Sequence, residues 1–126
     1  MQQYSVGGEP ATLIVDDDTG ILDIIQEVLE WKGIRVLTAK SVEEAKAVER
    51  AYPGPISLMI LDLVMKDGNG PVVAQYMRER RPGIRVIFMS GTPPEHVLCA
   101  DDFLVGDTFL AKPFTLKAIL EHVEEK

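Results

Sequence analysis

The chain has 126 residues, enough for one domain with a buried core, and its 46% hydrophobic and 26% charged content excludes a disordered polymer. Its net charge of −7 and pI near 4.8 argue against a nucleic-acid-binding surface, which needs clustered Lys and Arg. A lone cysteine, Cys99, excludes an internal disulfide and a multi-thiolate metal site, and suits a reducing cytoplasm.

Residues 1–10, with Gly7-Gly8 and Pro10, are expected to form a leader or linker, and residues 11–126 the domain itself. The leader has neither the basic start nor the apolar centre of a signal peptide, and no apolar run in the chain approaches bilayer-spanning length. No membrane contact is therefore expected. Thr12–Val15 is a β-rich run that ends in three acids, Asp16, Asp17 and Asp18. Ile21, Ile25, Val28 and Leu29 recur at helical spacing and predict a helix from about Thr19 to Lys32, stopped by Gly33. Trp31, late in that helix, reads as a packing residue. A second strand is expected over Ile34–Thr38. Ser41-Val42-Glu43-Glu44 is a capping box that opens a second helix, which Pro53-Gly54-Pro55 ends after Tyr52.

Ile56–Leu61 is an apolar run of the kind found in a strand buried on both faces of a parallel sheet. It delivers one carboxylate, Asp62, where the run stops, and Gly68 and Gly70 then demand a tight loop. Gly70-Pro71 starts a third helix and Arg81-Pro82-Gly83 closes it, with Arg78, Arg80 and Arg81 reading as a solvated helix end. Ile84–Met89 is a fourth strand leading into Ser90-Gly91-Thr92, and a weak segment from Pro94 to about Ala100 reads as a short helix. Asp107–Ala111 is a fifth strand leading into Lys112-Pro113-Phe114. Thr115 caps a last helix whose Leu116, Ile119, Leu120 and Val123 share a face, with Glu121–Lys126 as its solvated end. Strands and helices alternate as (βα)5. That pattern predicts an α/β fold with a doubly wound parallel five-stranded sheet, flavodoxin-like in its order 2-1-3-4-5, and a crevice beside strands one and three.

The chemistry collects at one edge. Asp16 and Asp17, Asp62, Ser90 and Lys112 each follow a different strand, and in a parallel sheet those ends point the same way. A lone acid ending a buried strand is costly unless a cation partners it, although a plain loop cap would also account for Asp62. Carboxylates crowded together repel, so such a cluster suits a hard cation, and Mg²⁺ combines one or two carboxylates with water and phosphate oxygens. A Lys and a Ser opposite would complete a cradle for a phosphoryl dianion. The chain has neither a Gly-x-x-x-x-Gly-Lys-Ser/Thr loop nor a Gly-x-Gly-x-x-Gly fingerprint, so a nucleotide is not the obvious donor.

Ile14-Val15-Asp16-Asp17-Asp18, Leu61-Asp62-Leu63-Val64-Met65, Ser90-Gly91 and Lys112-Pro113-Phe114 together resemble the receiver domain of two-component signalling, from roughly Ala11 to Glu125. The resemblance implies that Asp62 is the phosphoacceptor and that Asp17 binds Mg²⁺ directly. Asp16 would serve through water or as a secondary ligand, and the Val64 carbonyl as a further contact. Ser90 would hydrogen-bond the phosphoryl oxygens, Lys112 would pair with them and with Asp62, and Phe109 would be the aromatic switch, against an ordinary core or edge aromatic. It further implies a sensor histidine kinase as phosphodonor, a histidine phosphotransfer protein as a possible partner and a cytoplasmic location. A homodimer through the fourth helix, fifth strand and fifth helix belongs to the same set. Such a domain catalyses its own phosphorylation and dephosphorylation and is not a metabolic enzyme. More narrowly, Gly7-Gly8-Glu9, Asn69-Gly70-Pro71, Phe88–Thr92 and Phe109–Phe114 resemble receivers at the C-terminus of hybrid histidine kinases.

Three positions depart from the family pattern. The proline usual four residues after the acceptor is Lys66, which loosens the loop and adds a charge that is either solvated or within reach of a phosphoryl oxygen. Ser90 stands for the commoner Thr, and Gly91 for a frequent Ala. Lys66 and Thr92 are candidate modulators. Two other functions compete. A haloacid-dehalogenase-like phosphatase would carry a second acid where this chain has Val64, and a receiver-like binding module would dispense with phosphorylation. His96 and His122 read as helix-face or surface residues and Cys99 as a small buried hydrophobe.

Overall fold

A computed structural model describes residues 10–66, 68–91 and 108–124. Residues 1–9 of the expected 1–10 leader, the short helix expected at 94–100, and Thr92, His96 and Cys99 lie outside these residues. Along the chain run β1 (Ala11–Val15), α1 (Thr19–Trp31), β2 (Arg35–Ala39), α2 (Val42–Ala51) and β3 (Ile56–Asp62). The two-residue strands β4 (Val64–Met65) and β5 (Gly68–Asn69) follow, then α3 (Gly70–Arg80), β6 (Arg85–Ser90), β7 (Thr108–Ala111) and α4 (Leu116–Val123). The long strands form one five-stranded sheet in the order β2-β1-β3-β6-β7, with every pairing parallel. This is the expected flavodoxin-like order, with four helices among the described residues.

β3 is the centre, bonded to β1 on one side and β6 on the other. After the exposed Ser57 its apolar run is continuous from Leu58 to Leu61, because alternate residues serve opposite faces. Met59 and Leu61 join Leu13, Val15 and Phe88 in a core shared with Ala45 of α2 and Val73 and Met77 of α3. Leu58 and Ile60 join Ile14, Ile87 and Met89 in a second core, with Leu22, Ile25 and Leu29 of α1 and Ile119 of α4. Each fully buried side chain of this size contributes roughly 1.5–3 kcal/mol relative to exposure. α4 adds the least, since Ile119 is its one fully buried residue.

Local signals set the helix ends. Asp18 caps α1 by accepting from the N–H groups of Gly20 (2.9 Å) and Ile21 (3.3 Å), and Gly33, at φ 83°, turns the chain out of it. Ser41 Oγ accepts from Glu44 N, while Glu44 Oε1 accepts from the backbone of Lys40, a shifted form of the expected box. Thr115 caps α4 through Ala118 N.

Two expectations are corrected. Trp31 does not pack: it is 83% exposed. The buried stripe of α1 passes through Leu29, and two residues further on the side chain points roughly 200° away around the helix. Arg80 and Arg81 are not a solvated helix end. Both guanidinium groups reach Glu49 of α2, Arg80 Nε at 2.6 Å and Arg81 Nε at 3.3 Å. Glu49 is buried because it shares a helix face with Val42 and Ala45, and a buried carboxylate requires cations. The hydrogen bond and charge of Glu49 hold the Arg80 guanidinium above its ordinary pKa. Arg81 also donates to the carbonyls of Gly54, Glu49 (3.1 Å) and Tyr52 (2.9 Å), closing the end of α2. Arg81→Ala therefore removes a buried ion-pair partner and three carbonyl contacts. We expect urea denaturation to show a loss of about 2–4 kcal/mol, and a smaller loss for the more exposed Arg80→Ala.

Candidate functional site

The strand ends bring five predicted side chains to the carboxyl edge of the sheet. Asp16 follows β1 and is fully buried, Asp62 ends β3 at 7% exposure, and Ser90 ends β6 at 8%. Asp17 lies half-buried beside Asp16, and Lys112 follows β7. The Lys112 backbone is fixed by its N–H bond to the Ser90 carbonyl at 2.8 Å, and the Lys112–Pro113 peptide is cis. From there Lys112 Nζ reaches Asp16 Oδ2 at 2.9 Å and Asp62 Oδ2 at 3.4 Å. Asp16 Oδ1 accepts from Asp18 N, which shapes the turn carrying the three acids. Asp18 itself is occupied in capping α1.

Oxygens of Asp16, Asp17 and Asp62 lie within 4.8 Å of one another. An all-oxygen set of this kind, partly open through Asp17, fits a hard divalent cation. As a plain loop cap Asp62 is poorly made, because its contact with Val64 N is long, at 3.4 Å.

The segment after Asp62 is more ordered than a simple tight loop. β4 and β5 form a miniature antiparallel ladder, Val64 opposite Asn69 and Met65 opposite Gly68. Met65 is buried, and Val64 and Lys66 are exposed. The ladder returns the chain to Gly70, whose N–H donates to the Leu63 carbonyl at 2.8 Å. A Cβ on Gly70 would stand 2.6 Å from the Asp62 carbonyl oxygen and 2.9 Å from Leu63 Cα. Only a residue without a Cβ fits at position 70, this close to the Asp62 backbone. This glycine was legible as part of a tight loop and as a helix start, not as a close approach. Lys66 contributes through its backbone, with N–H donating to Asp17 Oδ2 at 2.9 Å. Phe109 of β7 sits beside Phe88 in register and stacks on it, centroids 5.3 Å apart, at 36% exposure. Close by, an apolar groove of about 530 Å³ is lined by Ile21 and Ile24 of α1 together with Lys112, Phe114 and Leu116.

Burial pushes the Asp62 carboxyl up to about 6 from 3.8, and the Asp16 charge adds to the rise while Lys112 and Val64 N oppose it. For Lys112, burial lowers the ammonium, but hydrogen bonding and charge from Asp16, followed by Asp62, outweigh it. The group stays charged with its pKa above the ordinary value.

The chain belongs to the response regulator receiver domain family, whose profile matches residues 12–124. Among curated relatives it is 33% identical over 110 residues to the photosynthetic apparatus regulatory protein RegA of Cereibacter sphaeroides, covering 87% of this chain and 59% of that protein. The chain thus spans less than two thirds of that relative's length. Among solved structures, a CheY-like receiver domain protein from Methanospirillum hungatei superposes with a TM-score of 0.80 at 27% identity, over 93% of this chain and 92% of that one. The receiver domain of the hybrid histidine kinase CckA gives a TM-score of 0.75 at 30% identity, over 90% and 95% of the two chains. Membership defines the chain as a phosphoacceptor domain of signal transduction. Among the described residues no helix is long and apolar enough to cross a membrane.

Two outcomes follow from the geometry. Asp62 binds its proton more tightly folded than unfolded, so its contribution to stability is greatest below about pH 4 and is lost as pH rises through about 6. Asp62→Asn, which cannot ionise, should stabilise the protein in chelator by roughly 1–3 kcal/mol above that range and by almost nothing at pH 4. Urea titrations across pH 4–8 will read this. Gly70→Ala forces a methyl against backbone and should cost about 1–3 kcal/mol in the same assay.

Proposed function

We propose that Asp62 takes a phosphoryl group from a histidine kinase and that the remaining edge residues serve that transfer. The observation that carries the reading is the convergence of Lys112 and Asp16 on Asp62, with Asp17 alongside, at the end of the central strand. The Asp62 carboxylate oxygen attacks phosphorus in line as the bond to the donor's imidazole nitrogen breaks. With a pKa near 6 the carboxylate is ionised at neutral pH. Lys112 is free to move from Asp62 Oδ2 onto a phosphoryl oxygen while remaining near Asp16. Ser90 donates its hydroxyl to a second phosphoryl oxygen. Mg²⁺, held by Asp17 and Asp62 with Asp16 behind them and the Val64 carbonyl beside them, would supply positive charge against the phosphoryl oxygens. Water later cleaves the acyl phosphate and returns Asp62.

The added charge approaches −2 and draws Ser90 and Lys112 toward the same oxygens. Ser90 ends β6 and Lys112 follows β7, so the pull reaches Phe109 between them, whose partly exposed ring on Phe88 supports the switch role. The output surface would include β7 and α4, as a face for a second copy or a phosphotransfer partner. The likeness to the CckA receiver supports a donor of the histidine-kinase class. The apolar groove beside Lys112 suits a protein donor better than a small one. A cytoplasmic location accords with such a partner. The phosphatase reading loses ground because the position for its second acid is Val64, an exposed aliphatic residue with no proton to give.

Acetyl phosphate with Mg²⁺ should add one phosphoryl group to the wild type, none to Asp62→Asn, and none in EDTA. Lys112→Ala should slow the reaction by about 100-fold or more. Asp17→Ala should weaken Mg²⁺ more than Asp16→Ala does, because Asp16 is engaged with Lys112. An acid-stable phosphate persisting on Asp62→Asn would move the chemistry elsewhere.

A further inference from the structure

Lys66 stands where the receiver pattern usually has proline, and the difference adds a donor as well as a charge. Proline has no N–H. Here the Lys66 N–H donates to Asp17 Oδ2 at 2.9 Å, joining the acceptor loop to the acidic turn across 49 residues of sequence. The donor is firmly placed. It follows Met65, which is buried and paired with Gly68 in the β4–β5 ladder, and that ladder is closed by the Gly70 N–H bond to the Leu63 carbonyl at 2.8 Å. The acceptor is less constrained by itself, since Asp17 is half-buried on a turn. A carboxylate has about four lone-pair sites, so an oxygen held by one amide leaves the group free to ligate.

We infer that the Lys66 backbone amide is a positioning group that orients Asp17 toward the oxygen cluster and so raises the site's affinity for a divalent cation. Hydrogen bonds to ligating carboxylates fix their orientation, and losing one typically weakens metal binding 10–100-fold. The exposed ammonium of Lys66 has the opposite effect, because a positive charge near the site disfavours a cation. The two contributions of one residue are therefore separable. The inference rests on the reading of Asp17 as a metal ligand.

Mg²⁺ titration calorimetry on the 126-residue chain separates them. Lys66→Pro, which lacks the amide hydrogen, should bind Mg²⁺ about tenfold more weakly than wild type. Lys66→Ala keeps the amide and removes the charge, and should bind at least as tightly as wild type. A second readout does not depend on the proline variant folding. By NMR hydrogen exchange, the Lys66 amide should be protected in the wild type, stay protected with Mg²⁺, and exchange at least tenfold faster in Asp17→Ala. Equal affinity for Lys66→Pro and wild type, an equal loss in Lys66→Ala, or Lys66 exchange indifferent to Asp17→Ala would each overturn the inference. If Asp17→Ala abolishes Mg²⁺ binding while Lys66→Pro does not weaken it, the inference alone fails. A wild type that binds no Mg²⁺ removes the reading beneath it.

Discussion

Lys112 Nζ lies 2.9 Å from Asp16 and 3.4 Å from Asp62, and much of the site's architecture can be understood as the means of holding it there. Two carboxylates buried at the ends of adjacent strands would otherwise face each other across a few ångströms of low-dielectric space. Four strands contribute to the arrangement. β1 and β3 bring the acids together through their parallel register, and β7 carries the lysine because its neighbour β6 ends at Ser90, whose carbonyl fixes the Lys112 backbone. Burial is the main cause of the raised Asp62 pKa and the Asp16 charge adds to it, while an ammonium shared by two acids offsets only part of the rise. The site therefore retains unsatisfied negative charge, which is the condition for attracting a divalent cation.

How much of this was legible in the sequence depends on what kind of contact carries each part. β3 was legible because burial on both faces removes the polar alternation of a surface strand, leaving Ile56–Leu61 as an apolar run. The five edge residues were legible because a parallel sheet aligns strand ends, so position along the chain becomes position in space. The β4–β5 ladder was not legible: two residues per strand carry no periodicity. Gly70 announced a turn but not a close approach, since glycine answers both demands. The Lys66–Asp17 bond uses a backbone donor that nearly every residue type has, and its only trace in the sequence is that residue 66 is not proline. Glu49 could have been found. It follows Val42 and Ala45 on the buried stripe of α2, and an acid at such a position asks for a cation on the neighbouring helix.

The two layers of helices are held to the sheet by different means. On one side α2 and α3 are joined by Glu49, Arg80 and Arg81 as well as by apolar packing, and Arg81 also seals the carbonyl end of α2. On the other, α1 and α4 depend on apolar contact, on Arg85 of β6 donating to the His122 carbonyl at 2.9 Å, and on an exposed ion pair, Lys32 with Glu124 at 3.7 Å, of small energetic value.

α4 buries only Ile119 completely, and this has a mechanical consequence. Its remaining packing is the half-buried Ala118, Leu120 and Val123, and an element so partly buried opens at a lower free energy than the fully buried centre of the domain. Tension or heat applied to this side would release α4 before it disturbed the α2–α3 layer, and β3 would remain in register beneath Asp62. Such an order of failure makes the domain compliant at one flank and stiff under its chemistry, so a neighbouring chain tugging on the last helix could be tolerated without misaligning Asp62.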